Sequence, residues 1–356
     1  MPSNRRIAYW MSDKKSQKVN WDEFERVCAK YGYELFKVDL NNPLHNQEPF
    51  TVFLHKLTDI IASAICGDEN SIMIISSIES YLSVKQDVIV VDPIDKLRQL
   101  LNRYDCYNMI KSTDLHRSGI FTPNFCQITS KSAKDIAIQL NEAQISYPFI
   151  CKPILGHGSK SAHEMMLVFN ADNLIDCPVP CVAQSFVNHD AILYKIFIIG
   201  AAHYYVQRPS LKNFYPSDCE SIHFDSAHIS KAGAKNVLNK LDPNEATARN
   251  DILPDTNVFQ QIVTTIRDAF GMDLLGVDVV IENTTGQYAI IDVNAYPGYD
   301  GCPDFYEHLL KCIDAKVTSR TEQSNEKTEK TDKSCECTLH SDTITSERQF
   351  LTSATV

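Results

Sequence analysis

The sequence lacks the features of a secreted or membrane-spanning chain. No apolar segment follows Met1, and no apolar run approaches the ~20 residues that a membrane helix requires. The 12 cysteines are mostly scattered singly, and none of them form a CxxC pair. This distribution favours reduced thiols over a disulfide framework. We therefore expect a cytoplasmic protein with no membrane partner.

Positive charge is also scarce. The chain has 34 Lys and Arg residues against 45 Asp and Glu residues, for a formal net charge of -11. Nucleic-acid binders usually carry a basic surface, so we expect no nucleic-acid partner. An anionic small ligand remains compatible with this charge, because charges beyond roughly 10 Å are screened and only nearby cations matter. Nothing in the sequence suggests an obligate assembly, and we expect a monomer.

The composition that is present belongs to a folded protein. Hydrophobic residues make up 44% of the chain and charged residues 22%, as in ordinary globular domains. Residues 1–105 alternate strands with helices, which predicts an α/β N-terminal unit. Residues 106–316 contain closely spaced strands that predict antiparallel sheets. The predicted strands are Arg5–Met11, Glu34–Leu40, Val88–Asp92, Pro148–Pro153, Met165–Phe169, Cys181–Phe186, Lys195–Ile199, His203–Arg208, Leu274–Glu282 and Tyr288–Asn294, and the predicted helices are Asp22–Tyr31 and Pro254–Phe270.

The amino-acid composition changes near the end of the chain. Residues 317–356 are rich in Ser, Thr, Glu and Lys and have almost no aromatic residues. Such a segment buries too little apolar surface to offset its ordering entropy, so we predict a disordered tail. Cys335, Cys337 and His340 within it form only a weak metal-binding pattern, because no second ligand pair accompanies them.

The most informative segment is an acidic β-hairpin. Two apolar strands flank the turn sequence Asn-Thr-Thr-Gly-Gln. If Glu282 faces Tyr288, the antiparallel register places Asp278 opposite Asp292, with Cβ atoms about 4.5–5.5 Å apart. Asn294 lies on the same face as Asp292, because it is two residues further along the strand. Three oxygen-bearing side chains thus converge, and we favour a Mg²⁺ site over a solvent-facing polar stripe.

Cations interrupt apolar strands elsewhere in the same region. Lys152 ends a strand that runs into the glycine-bearing loop Gly156–His163, which matches neither a Walker A nor a Rossmann fingerprint. Lys195 and Arg208 lie in a second predicted hairpin. Cations in mainly apolar strands usually have anionic partners. We favour a phosphate site over the alternative, in which the charges protect an edge strand from aggregation.

Taken together, these segments resemble the inositol 1,3,4-trisphosphate 5/6-kinase family, also called inositol-tetrakisphosphate 1-kinases. The resemblance extends from about Ile7 to Ile313 and rests on the combination of several segments, none of them specific alone. They are Tyr9–Lys15, His55–Asp59, Phe149–Lys152, Val206–Phe214 and Ile291–Gly298. One departure is the loop Leu155–His163, which is one residue longer than the usual family loop.

The resemblance implies an ATP-grasp fold of the α/β (α+β) class, in which an N-terminal α/β unit precedes two antiparallel-sheet subdomains that clasp ATP. It also implies site residues. ATP contacts are implied for Arg103, Lys152, Gln184, Phe186, Val187, Lys195, Ser210, Ser226 and Ser230. Inositol phosphate contacts are implied for Lys15, Lys56, His163, Lys195, Lys212, Asn294 and Gly298. Ligation of Mg²⁺, with two ions per subunit, is implied for Asp278, Asp292 and Asn294.

The resulting hypothesis is a kinase that transfers the γ-phosphoryl group of ATP in line to a ring hydroxyl of an inositol polyphosphate. Lys152 and Lys195 would position the phosphates, and His163 would bind the acceptor. The family's substrates imply position 1 of inositol 3,4,5,6-tetrakisphosphate and position 5 or 6 of inositol 1,3,4-trisphosphate. Two alternatives stay open: a carboxylate–amine ligase of the ATP-grasp superfamily, which would share the metal hairpin, and a non-catalytic ATP-binding module, which the complete set of Asp278, Asp292 and Asn294 disfavours.

Overall fold

The chain begins with a parallel sheet of the kind that its strand–helix alternation predicts. The structure, a computed structural model, describes residues 5–156, 158, 160–248 and 253–322. The sheet contains β1 (Arg6–Trp10), β2 (Glu34–Lys37), β3 (Val52–His55) and β4 (Ile89–Val91), in the spatial order β2-β1-β3-β4. All three pairings are parallel. The strand order reverses between β1 and β3, and the carboxyl ends of such strands border the crevice in which open α/β sheets bind ligands.

Helices connect these strands and lead into the second half of the chain. They are α1 (Asp13–Ser16), α2 (Trp21–Lys30), α3 (Thr58–Ile65), α4 (Glu69–Val84), α5 (Ile94–Leu101) and α6 (Arg103–Lys111). The Asn102 side chain accepts hydrogen bonds from the backbone N–H groups of Tyr104 and Asp105, so it caps the amino terminus of α6. This cap makes Arg103 the first residue of the helix.

Two five-stranded sheets follow, and most of their strands are antiparallel as predicted. The elements are β5 (Ile120–Phe121), β6 (Phe125–Ile128), α7 (Ala133–Glu142), β7 (Phe149–Pro153), β8 (Glu164–Val168), β9 (Cys181–Ser185), β10 (Ile192–Ile199), β11 (Ala202–Pro209), β12 (Ile222–Asp225), α8 (Ser226–Ile229), α9 (Pro243–Ala248), α10 (Thr256–Phe270), β13 (Leu274–Ile281) and β14 (Tyr288–Ala295). One sheet has the order β12-β8-β7-β9-β6 and the other β11-β10-β13-β14-β5. The short strand β5 is the exception, because it pairs in parallel with β14.

A continuous core joins the parallel sheet to the second antiparallel sheet. Phe53 from β3, Leu101 from α5, Ile196 from β10 and Val277 from β13 belong to the same cluster of buried side chains. Phe259 of α10 is fully buried in it. Because this core is shared, residues 1–310 form one compact unit, and the division into residues 1–105 and 106–316 stays a prediction about substructures.

A second unit begins at Lys311, and its described residues, 311–322, are helical. Residues 317–322 were predicted to belong to the disordered tail but continue the helix, because Val, Thr, Arg and Glu tolerate helical backbone. Residues 323–356, with Cys335, Cys337 and His340, lie outside the described residues. Among the helices of the described ranges, none has the length and apolar character needed to cross a lipid bilayer.

Candidate active site

Asp278 and Asp292 are paired across the acidic hairpin as predicted, although the turn of the hairpin differs from the predicted one. β13 and β14 are antiparallel, and Asp278 is the register partner of Asp292. At the turn, however, Ile281 and not Glu282 faces Tyr288. The register shifts by one residue beside Asp278, and Ile291 has no register partner on β13. This β-bulge compensates for the altered turn and restores the pairing of the aspartates.

A lysine completes a row of charges across three neighbouring strands. Lys195 on β10 is the register partner of Asp278 on the side opposite Asp292. The Lys195 Nζ lies 2.9 Å from Asp278 Oδ1. Burial raises the pKa of the Asp278 carboxyl, and the Lys195 ammonium acts in the opposite direction by favouring the ionised form. Lys195 thus offsets part of the cost of burying the Asp278 carboxylate.

The donor set around Asp278 fits a divalent cation. Asp278 Oδ1 is buried, and the Lys195 ammonium is its close polar neighbour among the described residues. Asn294 Nδ2 lies 3.3 Å from Asp278 Oδ2, which brings the predicted amide ligand to the same place. No three His, Cys, Asp or Glu side chains are gathered for a metal anywhere in the described ranges. Two carboxylates and one amide would leave coordination positions to phosphate and water oxygens, as Mg²⁺ prefers.

Lys152 links the two antiparallel sheets. It lies on β7 of the first sheet, is 4% exposed, and donates a 2.9 Å hydrogen bond to the Ile291 carbonyl on β14 of the second. Its other hydrogen bonds go to Gln184 Oε1 at 2.7 Å and to the Tyr107 hydroxyl at 3.0 Å. Burial lowers the pKa of Lys152 to about 8, while Asp292 opposes that effect. The three N–H groups of the ammonium are thus all directed at protein oxygens.

Arg103 supports the loop that follows Lys152. Its guanidinium donates to the carbonyls of Pro153 at 2.8 Å and Ala162 at 3.2 Å, on either side of the glycine loop. Arg103 Nη2 also lies 3.8 Å from Asp292 Oδ2. At Gly158 the backbone φ is +85°, and an added Cβ would lie 2.2 Å from the Ala62 Cβ on α3, so only glycine fits there. Residues 157 and 159 of this loop lie outside the described residues.

These elements enclose a cleft of about 260 Å³ between the two antiparallel sheets. Most of the predicted ATP-contacting residues line it: Arg103, Lys152, Lys195, Ser210, Ser226 and Ser230. Apolar side chains that the sequence did not single out form its walls, namely Ile150, Met165, Leu193, Leu211, Phe224, Ile229 and Ile291. An apolar cleft that also presents cations and hydroxyls suits a purine base attached to phosphates.

Three predicted ATP contacts, Gln184, Phe186 and Val187, do not line this cleft. Gln184 is 2% exposed and holds Lys152. Phe186 packs against the Phe214 ring, with centroids 5.7 Å apart. The Val187 carbonyl is 2.6 Å from Nδ1 of His189, whose Nε2 is 2.7 Å from the Ser210 hydroxyl. Burial lowers the pKa of His189 to about 4, so its imidazole is neutral and connects this segment to Ser210.

A second and larger cleft, of about 1010 Å³, opens beside the first. It lies at the carboxyl ends of β1 and β3, where the order of the parallel sheet reverses. The inositol phosphate contacts predicted for it are Lys15, Lys56, His163, Lys195, Asn294 and Gly298. Arg208, predicted to belong to a phosphate site, also lines it, and further cations are Lys14, Lys18 and Lys231. Only two acidic residues, Asp59 and Asp300, are among the described residues that line it. The cleft is therefore strongly cationic in a chain of net negative charge.

Lys56 is the most perturbed cation of this second cleft. Its Nζ lies 5.2 Å from the centre of the Tyr296 ring. Burial, followed by the nearby charge of Lys15, lowers the pKa of Lys56 to about 8. Lys15 itself is paired, with its Nζ 2.7 Å from Asp59 Oδ1 and 2.8 Å from Thr58 Oγ1. A buried ammonium next to a second cation is an environment that a bound anion would stabilise.

The two clefts share a wall made of His163, Lys195, Ser230, Lys231 and Asn294. His163 Nδ1 lies 3.4 Å from the Ser226 hydroxyl at this junction. A phosphoryl group bound in the first cleft and an acceptor bound in the second would meet here. The one sequence signal for the additional lysines is the close spacing of Lys14, Lys15 and Lys18.

Lys212 is the one predicted inositol phosphate contact that lines neither cleft in the described part of the chain. Its Nζ lies 3.1 Å from Asp242 Oδ1 and 5.8 Å from the centre of the Phe214 ring. Lys212 lies beyond the end of β11, where no strand register fixes the direction of its side chain, so the resemblance of sequence segments did not reveal its partner. The structure thus assembles the remaining predicted set without Lys212.

Known proteins resemble the chain over nearly its whole described length. Residues 6–97 match the inositol 1,3,4-trisphosphate 5/6-kinase pre-ATP-grasp domain, and residues 114–314 match the ATP-grasp domain of the same family. The inositol-tetrakisphosphate 1-kinase of Danio rerio is 37% identical over 318 residues, which is 87% of this chain and 78% of that protein. The enzyme of the same name from Xenopus laevis is 37% identical over 327 residues, covering 91% and 81%.

Several solved structures share the fold of this chain. Their sequence identity to it is low, so they support the fold and nothing further. D-cycloserine synthetase DcsG has a TM-score of 0.58 at 11% identity, covering 88% of this chain and 99% of that one. D-alanine–D-alanine ligase from Bacillus anthracis has a TM-score of 0.54 at 15% identity, covering 90% and 99%. The ATP-grasp ligase PsnB has a TM-score of 0.53 at 11% identity, covering 90% and 100%. The ATP-grasp fold expected from the sequence is thereby confirmed, and the chain belongs to the inositol 1,3,4-trisphosphate 5/6-kinase family.

Proposed function

We propose that this inositol polyphosphate kinase transfers the γ-phosphoryl group of ATP to position 1 of inositol 3,4,5,6-tetrakisphosphate and to position 5 or 6 of inositol 1,3,4-trisphosphate. The observation that supports the proposal most is the shared wall of the two clefts. One cleft suits a nucleotide, the other is cationic, and Lys195, His163 and Asn294 line both. Positioning two phosphorylated ligands at such a junction is the main task of a phosphoryl-transfer enzyme.

On the nucleotide side, the roles follow from the charges. Lys195 faces both clefts, so its ammonium is placed to stabilise the negative charge of the phosphoryl group during its transfer. Lys152 donates hydrogen bonds to oxygens of both antiparallel sheets. We therefore assign it both to holding the two sheets together and to attracting the phosphates of ATP. Arg103 holds the glycine loop by its carbonyl groups.

We assign the metal site to Asp278, Asp292 and Asn294, with two Mg²⁺ ions per subunit. The buried oxygen of Asp278 and the nearby Asn294 amide support this assignment. Held by these three side chains, Mg²⁺ would supply positive charge that offsets the negative charge of the phosphates. The Lys195 ammonium favours the ionised form of Asp278 that a metal ligand requires, against the effect of burial.

On the acceptor side, several cations surround a ligand with several phosphates. Lys15, Lys56, His163 and Gly298 come from different elements and line the same cleft, so we assign them to different parts of the ring. Because a loose transition state requires little base catalysis, we assign His163 to binding of an acceptor phosphate and name no general base. A carboxylate–amine ligase has no need for so many cations in its acceptor cleft, and this argues against that alternative.

Product analysis tests the proposed activity directly. Purified protein with ATP and Mg²⁺ should convert inositol 3,4,5,6-tetrakisphosphate and inositol 1,3,4-trisphosphate to products with one more phosphate, separated by chromatography. A parallel reaction with D-alanine or other amino acids in place of the inositol phosphate should release no ADP above background. Absence of turnover with every inositol tris- and tetrakisphosphate would contradict the proposal and favour a non-catalytic ATP-binding module.

Substrate binding should weaken at alkaline pH because of Lys56. Its ammonium binds phosphate only when protonated, and its pKa is about 8. Between pH 7 and pH 9 its loss of charge should raise the Kd of the inositol phosphate about tenfold, since the substrate phosphates stay ionised throughout. Isothermal titration calorimetry at several pH values measures this change.

The matched control is Lys56→Arg, because arginine stays charged over the whole range. Its Kd should vary much less between pH 7 and pH 9. An equal pH dependence in the wild type and in Lys56→Arg would assign the titration to another group.

We also propose that the protein acts as a monomer in a reducing, cytoplasmic compartment, with ATP and inositol phosphates as its small-molecule partners. The cysteines of the described ranges are free thiols, which supports the reducing compartment. Gel filtration with light scattering at micromolar concentration should give the mass of one chain.

A further inference from the structure

The Tyr107 hydroxyl lies between Lys152 and the acidic hairpin. Tyr107 belongs to α6 and is completely buried. Its hydroxyl accepts a 3.0 Å hydrogen bond from Lys152 Nζ and donates one of 3.1 Å to the Ile291 carbonyl. A buried phenol with both of these partners is fixed in position from two sides.

The Ile291 carbonyl is the unusual acceptor in this arrangement. Ile291 is the bulged residue of β14, without a register partner on β13, and it directly precedes Asp292. Its carbonyl receives one hydrogen bond from Tyr107 and a second from Lys152 at 2.9 Å. A carbonyl oxygen has two lone pairs, so these two donors satisfy it fully.

The bulge decides where Asp292 points. Side chains alternate between the two faces of a strand, so a slip of one residue would turn Asp292 away from Asp278. The turn of the hairpin does not prevent such a slip by itself, because Ile281 and not Glu282 faces Tyr288. Holding the bulged carbonyl is therefore what keeps the two carboxylates in register.

We propose that Tyr107 is a positioning residue that fixes Asp292 for the metal through the Ile291 carbonyl. It acts from α6, a helix outside the hairpin, and so ties the metal carboxylate to the body of the protein. This inference rests on the proposed function, because that function assigns Asp292 to Mg²⁺.

The helix also provides a matched control. Tyr104 lies one turn earlier on α6, and its ring packs edge-on against the same Phe125 ring, with centroids 5.6 Å apart against 5.3 Å for Tyr107. The Tyr104 hydroxyl makes no hydrogen bond with any described residue. Tyr107→Phe and Tyr104→Phe thus remove the same atom from similar aromatic contacts, and only the first loses the link to Ile291.

The experiment measures metal binding and backbone exchange in addition to turnover. Mn²⁺ titrations followed by electron paramagnetic resonance, with a non-hydrolysable ATP analogue present, should show a Kd raised about tenfold in Tyr107→Phe, as for other residues that orient metal ligands. Hydrogen–deuterium exchange of peptides that contain residues 288–295 should be faster. In EDTA, the affinity for the ATP analogue should stay within about twofold of wild type. Tyr104→Phe should match the wild type throughout.

Three results would overturn the inference. The first is unchanged Mn²⁺ affinity and exchange in Tyr107→Phe. The second is an equal loss of ATP-analogue affinity in EDTA, which would indicate general disturbance of the cleft. The third is loss of cooperative unfolding, which would assign the hydroxyl to folding. Failure of the wild type itself to bind Mn²⁺ would instead contradict the proposed metal site, so the two failures are distinguishable.

Discussion

Replacing Asp292 with asparagine should lower kcat by about 10²–10³-fold or more while the protein stays folded. Asparagine keeps the size and one oxygen of the side chain but removes the charge that we assign to metal binding. Arg103, whose Nη2 lies 3.8 Å from Asp292, keeps its backbone carbonyl partners in the variant. Steady-state kinetics with ATP and an inositol tetrakisphosphate, together with circular dichroism, measures both effects.

Glu282→Gln is the control for this prediction. Glu282 follows β13 in the same hairpin, and its carboxylate contacts Thr285 within the turn. It lines neither cleft, so its neutralisation should leave kcat within about twofold of the wild type. Near-normal turnover in Asp292→Asn would refute the assignment of Asp292 to the metal.

Replacing Lys195 with alanine should impair both activity and stability. The side chain faces both clefts, so we expect a loss of kcat of about 10²–10³-fold. The variant also leaves Asp278, with a side chain only 15% exposed, without its 2.9 Å partner. An unpaired buried charge should lower the free energy of unfolding by about 1–3 kcal/mol. Urea denaturation and steady-state kinetics measure the two losses.

The double variant Lys195→Ala with Asp278→Asn separates the two effects. Neutralising the Asp278 carboxyl, which has lost its Lys195 partner, should recover most of the stability. Activity should stay lost, because the Lys195 ammonium and the Asp278 carboxylate are both absent. If the double variant is no more stable than Lys195→Ala, then the pair does not account for the destabilisation.

The pH dependence of stability gives an independent check on Lys195→Ala. Burial already raises the pKa of Asp278 in the folded protein, and removal of Lys195 should raise it further. A carboxyl whose pKa is higher in the folded than in the unfolded chain binds more protons when folded. The free energy of unfolding contributed by this group therefore increases as pH falls through the folded pKa. Relative to the wild type, Lys195→Ala should thus be least destabilised at mildly acidic pH.

Local sequence patterns predicted the acidic hairpin and most strands around it. The strands β7, β9, β13 and β14 lie within about one residue of their predicted positions, because alternating β-branched residues and flanking turns are local signals. The pairing of Asp278 with Asp292 was predicted from an assumed turn. The turn was wrong by one residue, and the bulge at Ile291 restored the pairing. The donors that stabilise this bulge, Tyr107 and Lys152, are far from it in the chain. The sequence of the two strands therefore does not predict the bulge.

The sequence by itself determined the chemical groups of this protein: two aspartates, an asparagine, isolated lysines in apolar strands, and segments specific enough to indicate the kinase family. The sequence also predicted that the two aspartates meet, whereas tertiary structure alone decided which cations surround them. Lys231, Arg208 and Lys14 line the cationic cleft, whereas Lys212 turns to Asp242. Such contacts join residues far apart in the chain, and the direction of each side chain there depends on strand register and core packing, which no local pattern records.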